Sequence, residues 1–435
     1  MREHEPRLEE DAKNLSVVTG SAILAALITI GLVANQMVAA PEEVVVRDVQ
    51  PVVIEVVDVP EVVEVEPELP VLVEVEPVRA PLTGINRLYG TVTTVYGREF
   101  TGYIRWDKNE GSWTDLLDAQ KERYRGGSSQ SGIRFGHIDR IDVTGRRSAR
   151  FTLRNGERME LQGSSTDLGS GLRALLVDEG NGEVADFRWR DLESVDFFAP
   201  GDQAPSESRL HGTVHTRDGM SFTGYVTWDV DEIYSNDILD GDADGERLEI
   251  PFGQVNMIER YGTWGAKVTL DNGDDYVLEG TNDVNSSIRG IEVSDATLGA
   301  VKLQWDEFDY VEFHGTNDEV AVANFDGGAQ LEGTVITRFG DEYTGEIIWD
   351  ADEQFTWEIL KGYIGDVEFH VELSNIARIE KTRRGSLLEL NDGRSFELNN
   401  TNDVDRGHKG ITIRTDGREY EVDWDEFQEV TFTGR

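Results

Sequence analysis

The sequence contains no cysteine, and that absence removes disulfides, thiolate metal sites and cysteine nucleophiles together. Positive charge is scarce: 41 Lys and Arg stand against 85 Asp and Glu, for a net charge of −44. Such a surface repels nucleic acid, whose binding depends on neutralising phosphates with Lys and Arg, so no nucleic-acid partner is expected. Only 8 of the basic residues are Lys, a balance that suits a salt-tolerant surface. The seven histidines (4, 137, 211, 215, 314, 370 and 408) share no position in the repeats described below, which argues against a histidine triad or a recurring zinc site. Glycine-rich pieces join strand to strand and form no phosphate-cradling loop. At 435 residues the chain is long enough for two to four domains.

One stretch lacks charge altogether. Residues 15–40, "LSVVTGSAILAALITIGLVANQMVAA", are long enough to cross a bilayer core of about 30 Å, which needs about 20 residues. A cleaved signal peptide is the competing reading, with "VAA" at 38–40 as the cut; the acidic tail 1–14 and Pro41 count against it. Arg2, Arg7 and Lys13 precede the span and Arg47 follows, which favours the tail inside and the bulk of the chain outside. Residues 41–84 carry seven of the eleven prolines among alternating Val and Glu. Proline at that density denies a strand its donors, so an extended acidic stalk of up to about 120 Å is expected.

The remainder repeats. "GTVTTVYGREFTGYIRWD" at 90–107 returns as "GTVHTRDGMSFTGYVTWD" at 212–229 and "GTVITRFGDEYTGEIIWD" at 333–350. Trp106, Trp228 and Trp349 recur at intervals of 122 and 121 residues, marking three tandem units of roughly 110 residues at 85–198, 209–314 and 329–435. Each reads as β throughout, a barrel or sandwich, with "RNGE", "DNGD" and "NDGR" as hairpin turns. In the opening motif Gly reads as turn and strand punctuation, Val, Phe/Tyr and Ile as core, and Trp as a packing anchor. The one helical candidate is "WTDLLDAQKERY" at 113–124. Within each unit two halves follow one plan of strand, Gly turn, strand and loop, closing on "IRFGHIDRI" or "WRDLESVDF" and their counterparts. Both halves resemble the small, strongly bent barrel of Sm-like proteins. The resemblance implies a fold only, because no Sm-like RNA-binding residue is recognisable.

Three polar sets recur or stand out. Following each first Trp is Trp-Asp-x-Asp/Asn-Glu with an acid five residues later, giving Asp107 and Glu110, Asp229, Asp231 and Glu232, and Asp350, Asp352 and Glu353. Oxygen ligands at this spacing suit Ca²⁺, whereas core Trp with a capping Asp and solvated acids is the plainer reading. "DGDADGE" (Asp240, Asp242, Asp244) fails as an EF-hand because its twelfth position is Pro251. Loops "GTNDVNSSIRG" and "NTNDVDRGHKG" offer Asp283 with Arg289 and Asp403 with Lys409 as polar handles for a partner, and Asp167 with Arg173 aligns with them. Local turn-making by Asn and Asp is the alternative. The first unit, near neutral at −1 beside units of −15 and −12, places Arg146, Arg147, Arg150, Arg154 and Arg158 across one hairpin. These guanidiniums suit carboxylates, whether of a neighbouring unit or of an anionic partner. No catalytic residue is assigned; paired carboxylates could run glycosidase chemistry, but acids are frequent enough to pair by chance. The expectation is a membrane-anchored, extracytoplasmic binding or scaffold protein of the cell envelope, meeting a protein or polysaccharide without an obligatory cofactor. A Ca²⁺-dependent adhesion module and an envelope hydrolase are the alternatives.

Overall fold

A computed structural model describes residues 84–122, 128–163, 165–316 and 319–433. The expected tail, span and most of the stalk lie outside these residues, and among those described no helix is long and apolar enough to cross a membrane.

The first segment supplies β1 (Tyr89–Thr94), β2 (Glu99–Trp106), β3 (Leu116–Glu122), β4 (Ser128–Arg134), β5 (Ile138–Val143), β6 (Ser148–Leu153), β7 (Arg158–Gln162), β8 (Leu175–Asp178), β9 (Val184–Phe187) and β10 (Leu192–Phe197). The second supplies β11 (His211–Thr216), β12 (Ser221–Trp228), β13 (Ile238–Ala243), β14 (Glu246–Pro251), β15 (Val255–Tyr261), β16 (Gly265–Leu270), β17 (Asp275–Glu279), β18 (Ile291–Asp295), β19 (Gly299–Leu303) and β20 (Phe308–Phe313). The third supplies β21 (Glu332–Thr337), β22 (Glu342–Ile348), β23 (Ile359–Ile364), β24 (Val367–Glu372), β25 (Ile376–Lys381), β26 (Ser386–Leu390), β27 (Ser395–Leu398), β28 (Ile411–Thr415), β29 (Arg418–Val422) and β30 (Phe427–Phe432).

These strands form three large antiparallel sheets. The first runs β4-β3-β7-β6-β5-β10-β1-β2-β8-β9. The second repeats that order from β14 to β19 and then continues into β24 and β23. The third runs β27-β26-β25-β30-β21-β22-β28-β29, its β23–β24 hairpin having joined the second sheet. The order shows an exchange between the two halves of each segment. Hairpin β1–β2 sits among β8, β9 and β10, while hairpin β6–β7 sits among β3, β4 and β5. Adjacent strands in sequence therefore make the turns, and strands from the other half complete each set.

Alternation explains the strands locally: β1 buries Val92 and Thr94 and β6 buries Ala149, Phe151 and Leu153, with partly or fully exposed residues between. Of the opening motif's glycines, Gly97 makes the β1–β2 turn at φ 70°, whereas Gly90 and Gly102 lie within the strands. Gly90 lies opposite Gly102 across β1 and β2, and a Cβ on either would stand 2.1 Å from a carbonyl oxygen of the strand beyond. The next pair outward is Thr91 with Thr101, joined hydroxyl to hydroxyl at 2.8 Å, and both pairings recur in the other two segments. Where a helix was expected at 113–124, the described residues 113–122 form a loop followed by β3. There Leu117 and Ala119 are buried two residues apart, and seven register pairs with β4 override the local helical preference.

Two cores result. One is continuous through the second and third segments; the other belongs to the first segment but includes Val322, Phe325 and Trp357. The stretch between the second and third segments thus packs on the first segment, with Phe325 edge-on to His137 at 5.1 Å between ring centres. Leu116, Ala300 and Ile359, one from each segment, meet in a third small cluster. Gly299 allows β24 to approach β19, since a Cβ there would stand 1.9 Å from the His370 carbonyl oxygen. Beside this contact Arg134 of the first segment reaches Glu372 of the third at 3.1 Å, and donates to the carbonyls of Asp295 and Ala296 of the second at 2.8 Å each.

Candidate functional site

Trp106 and Trp228 end β2 and β12, Trp349 directly follows β22, and none is exposed. A buried indole needs an acceptor for its N–H. Trp106 donates to the carbonyl of Asp167, Trp228 to that of Asp283 and Trp349 to that of Asp403, each at 2.8 Å. The Trp-Asp motif and the loop 54 to 61 residues later are therefore one site.

Beyond each Trp the chain turns through two residues with positive φ: Asp107 and Lys108 (41° and 74°), Asp229 and Val230 (45° and 67°), Asp350 and Ala351 (45° and 66°). None is glycine and Val230 is β-branched, so the turn carries a cost on the order of 1–2 kcal/mol per residue. It closes where the Trp N–H meets the carbonyl of Glu110, Glu232 or Glu353 at 2.8 Å. The Asp carboxylate offsets the cost. Asp107 accepts the Arg173 backbone N–H at 2.5 Å and Nε at 2.9 Å; Asp229 receives Arg289 at the same two distances. Asp350 accepts the Lys409 backbone N–H at 2.5 Å and Nζ at 2.9 Å. Thr166, Asn282 and Asn402 complete these shells.

The loop handles are thus paired differently from their sequence neighbours. Arg289 and Lys409 go to Asp229 and Asp350, while the carboxylates of Asp167, Asp283 and Asp403 accept the backbone N–H groups of Asp118, Asp240 and Lys361 at 2.7, 3.0 and 2.7 Å. Burial pushes Asp167 and Asp403 up to about 7 and Asp283 up to about 6.

The three glutamates of the motif turn inward. Glu110 and Glu353 are 4% and 5% exposed, and Glu232 is half-buried. In all three, Oε2 is buried with no hydrogen-bond donor. Burial, followed by the charges of Asp283 and Asp229, pushes Glu232 up to about 9. Glu110 rises well above the usual carboxylate range through burial and the charges of Asp167 and Asp107; burial and Asp403 do the same to Glu353. One oxygen each of Asp229, Glu232 and Asp283 lie within 4.8 Å of one another. Glu110 and Asp167 also line a cavity of about 350 Å³ between the first and second segments, with Asp118, Arg173, Arg289 and Lys302 around it.

Asp231 and Asp352 stand apart from this inward group. Asp231 accepts Arg289 Nη1 at 2.9 Å and is also bound by Arg173 of the first segment; although burial opposes it, these bonds hold its carboxyl below the ordinary range. The Asp352 carbonyl receives Lys121 Nζ at 2.6 Å. The later acid of the motif (Asp115, Asp237 or Glu358) caps the following turn: Asp115 takes the N–H groups of Gly111 and Ser112 at 2.7 and 2.8 Å. The other oxygen of each faces a cation: Arg209 for Asp115 at 3.3 Å, Arg105 for Asp237 at 2.8 Å and Lys121 for Glu358. Sequence reading missed these intersegment pairs, which no local spacing reveals.

Among the five hairpin arginines, Arg146, Arg147, Arg150 and Arg158 are exposed. Arg154 is not on their face: past the end of β6 it folds inward, donates Nε to the Gly136 carbonyl at 2.6 Å and lies 5.8 Å from the Trp113 ring centre. Arg150 lies opposite Glu160 in register, but Glu160 is bonded by Thr144. Asp240, Asp242 and Asp244 form no loop cage; β13 and its turn hold them, with Arg247 on Asp240 at 2.6 Å. No protein-family model, no curated protein and no solved structure matches this chain.

Proposed function

We propose that the chain is a membrane-anchored binding or scaffold protein of the cell envelope, spanning the bilayer with residues 15–40 and displaying three tandem repeats on the stalk 41–84. In this reading each repeat is a pair of Sm-like small barrels that have exchanged their opening hairpins. The observation that carries the binding role is the arginine face of the first segment. Arg150 and Arg158 project from neighbouring strands, Arg146 and Arg147 from the adjoining turn, and none is in an ion pair with another described residue. Elsewhere the cations at the Trp-Asp turns are consumed by the protein's own carboxylates. The partner is anionic, a protein or an acidic polysaccharide, and repeats of differing charge suit multivalent contact. The carboxylate clusters favour a second reading, a Ca²⁺-dependent adhesion module.

The test is co-sedimentation of the full chain with polygalacturonate, comparing wild type with Arg150→Glu/Arg158→Glu. Binding that weakens with salt and at least tenfold with the substitutions supports the role; identical binding by both proteins contradicts it. Protease accessibility of the C-terminus in intact cells tests the topology, and protection that persists in spheroplasts reverses the orientation.

A further inference from the structure

The hairpin turn that carries Arg146 and Arg147 has a counterpart in each segment. β5–β6 turns through 144–148, β15–β16 through 262–264 and β25–β26 through 382–385. Aligned on the register pairs Ile141–Phe151 and Ile258–Val268, Trp264 stands where the first segment has Arg147. The third turn carries Arg383 and Arg384, both exposed and in no ion pair with another described residue. Of the nine tryptophans, eight are buried and Trp264 is 52% exposed; Tyr261 beside it is 50% exposed. The fold itself does not call for these rings, because the other two segments close the same turn with arginine.

The two rings stand at 90° with their centres 5.3 Å apart. Neither the Trp264 N–H nor the Tyr261 O–H has a hydrogen-bond partner among the described residues. The backbone beneath them is tied down: Trp305 Nε1 donates to the Gly262 carbonyl at 2.8 Å, and the Ser286 N–H to that of Thr263 at 2.9 Å. The first segment has the matching tether, from Trp189 Nε1 to the Gly145 carbonyl at 2.9 Å. A ring carried on a fixed turn loses little freedom when a ligand covers it. Such rings fit a pyranose, whose C–H face is apolar and electropositive against the negative aromatic face, while its hydroxyls can meet the indole N–H and the phenol. A protein carboxylate offers no such face. At the other two turns the guanidinium forks match carboxylates.

We propose that Tyr261 and Trp264 form a sugar-stacking platform for an acidic polysaccharide, with the arginines of the β5–β6 and β25–β26 turns taking carboxylates elsewhere along the same polymer. The inference rests on the reading of the chain as a binder of an anionic partner, and narrows that partner to a uronic-acid polymer. Stacking acts at one turn and charge at two, so a long polymer gains affinity through effective concentration where a single sugar does not.

The experiment is acrylamide quenching of tryptophan fluorescence in the full chain, titrated with polygalacturonate, poly-glutamate and dextran. Acrylamide is neutral, and Trp264 supplies the exposed component of the emission. Polygalacturonate should protect that component, and poly-glutamate and dextran should leave it quenchable. In co-sedimentation, Tyr261→Ala/Trp264→Ala should weaken polygalacturonate binding about tenfold. Wild-type protein that binds polygalacturonate with Trp264 still quenchable overturns the platform and leaves the arginine face standing. Equal protection by poly-glutamate overturns it in favour of an acidic protein, and equal protection by dextran overturns the acidic specificity. Absence of any polygalacturonate binding overturns it outright. If Arg150→Glu/Arg158→Glu binds as wild type does, the arginine face fails, while protection of Trp264 still decides the platform.

Discussion

Replacing Arg134 with Met tests whether the three segments are one cooperative body. The Arg134 side chain is 3% exposed and that of Glu372 5%, and their nearest atoms are 3.1 Å apart. The substitution keeps most of the volume but leaves the Glu372 carboxylate buried with only His137 and Ser374, and frees the carbonyls of Asp295 and Ala296. Removing one partner of a buried pair costs about 3–5 kcal/mol, against about 0–1 for an exposed pair. Burial opposes ionisation of Glu372, yet Arg134 and the hydrogen bonds of His137 and Ser374 hold it down to about 2, from an ordinary 4.5. The folded state therefore binds fewer protons than the unfolded chain in that interval. Its stabilisation is complete above pH 4.5 and is lost as pH falls to about 2, amounting to roughly 3 kcal/mol at 1.36 kcal/mol per pKa unit. Urea unfolding at pH 7 and across pH 2–5 measures both quantities. Arg134→Met should lose 3 kcal/mol or more at pH 7 and flatten the acid limb. A loss below 1 kcal/mol, or an unchanged acid limb, would refute the junction as described.

Two further substitutions probe the motif. Gly102→Ala places a Cβ 2.1 Å from the Asp178 carbonyl oxygen, so β2 and β8 must separate. A loss of more than about 2 kcal/mol is expected by urea unfolding, well beyond the gain that replacing a strand glycine otherwise brings. Trp228→Phe removes the donor to the Asp283 carbonyl and part of a fully buried ring. It should cost about 2–3 kcal/mol by urea unfolding, combining a hydrogen bond of about 1 kcal/mol with a small cavity.

The sequence made the β class readable, because hairpin turns and alternating burial are local signals. It concealed the hairpin exchange for the same reason: "GTVTTVYGREFTGYIRWD" specifies that β1 pairs with β2 but not that β8 lies beside them. Residues 113–124 looked helical because Leu117 and Ala119 become alternating core positions only once β4 is opposite. The Trp-Asp acids and the Asn/Asp loops were both visible as candidates, yet about 60 residues separate Asp229 from Arg289, so their pairing could not be read from spacing. Arg154 shared the charge and spacing of the other hairpin arginines, but its place at the end of β6 sends it inward. Glu110, Glu232 and Glu353 were visible in the motif, but spacing could not show that they turn inward and leave Oε2 without a donor.

The most direct test of the inward-turned carboxylates at the Trp-Asp turns is stability against pH. Glu232 is pushed up to about 9, far above its ordinary 4.5, because burial and then Asp283 and Asp229 oppose its charge. A raised carboxyl favours folding while protonated and loses that contribution as pH rises from about 4.5 to 9. Urea unfolding of the wild type should show stability falling between about pH 5 and 9, with a shallower fall in Glu232→Gln. Equal slopes for the two proteins would contradict it.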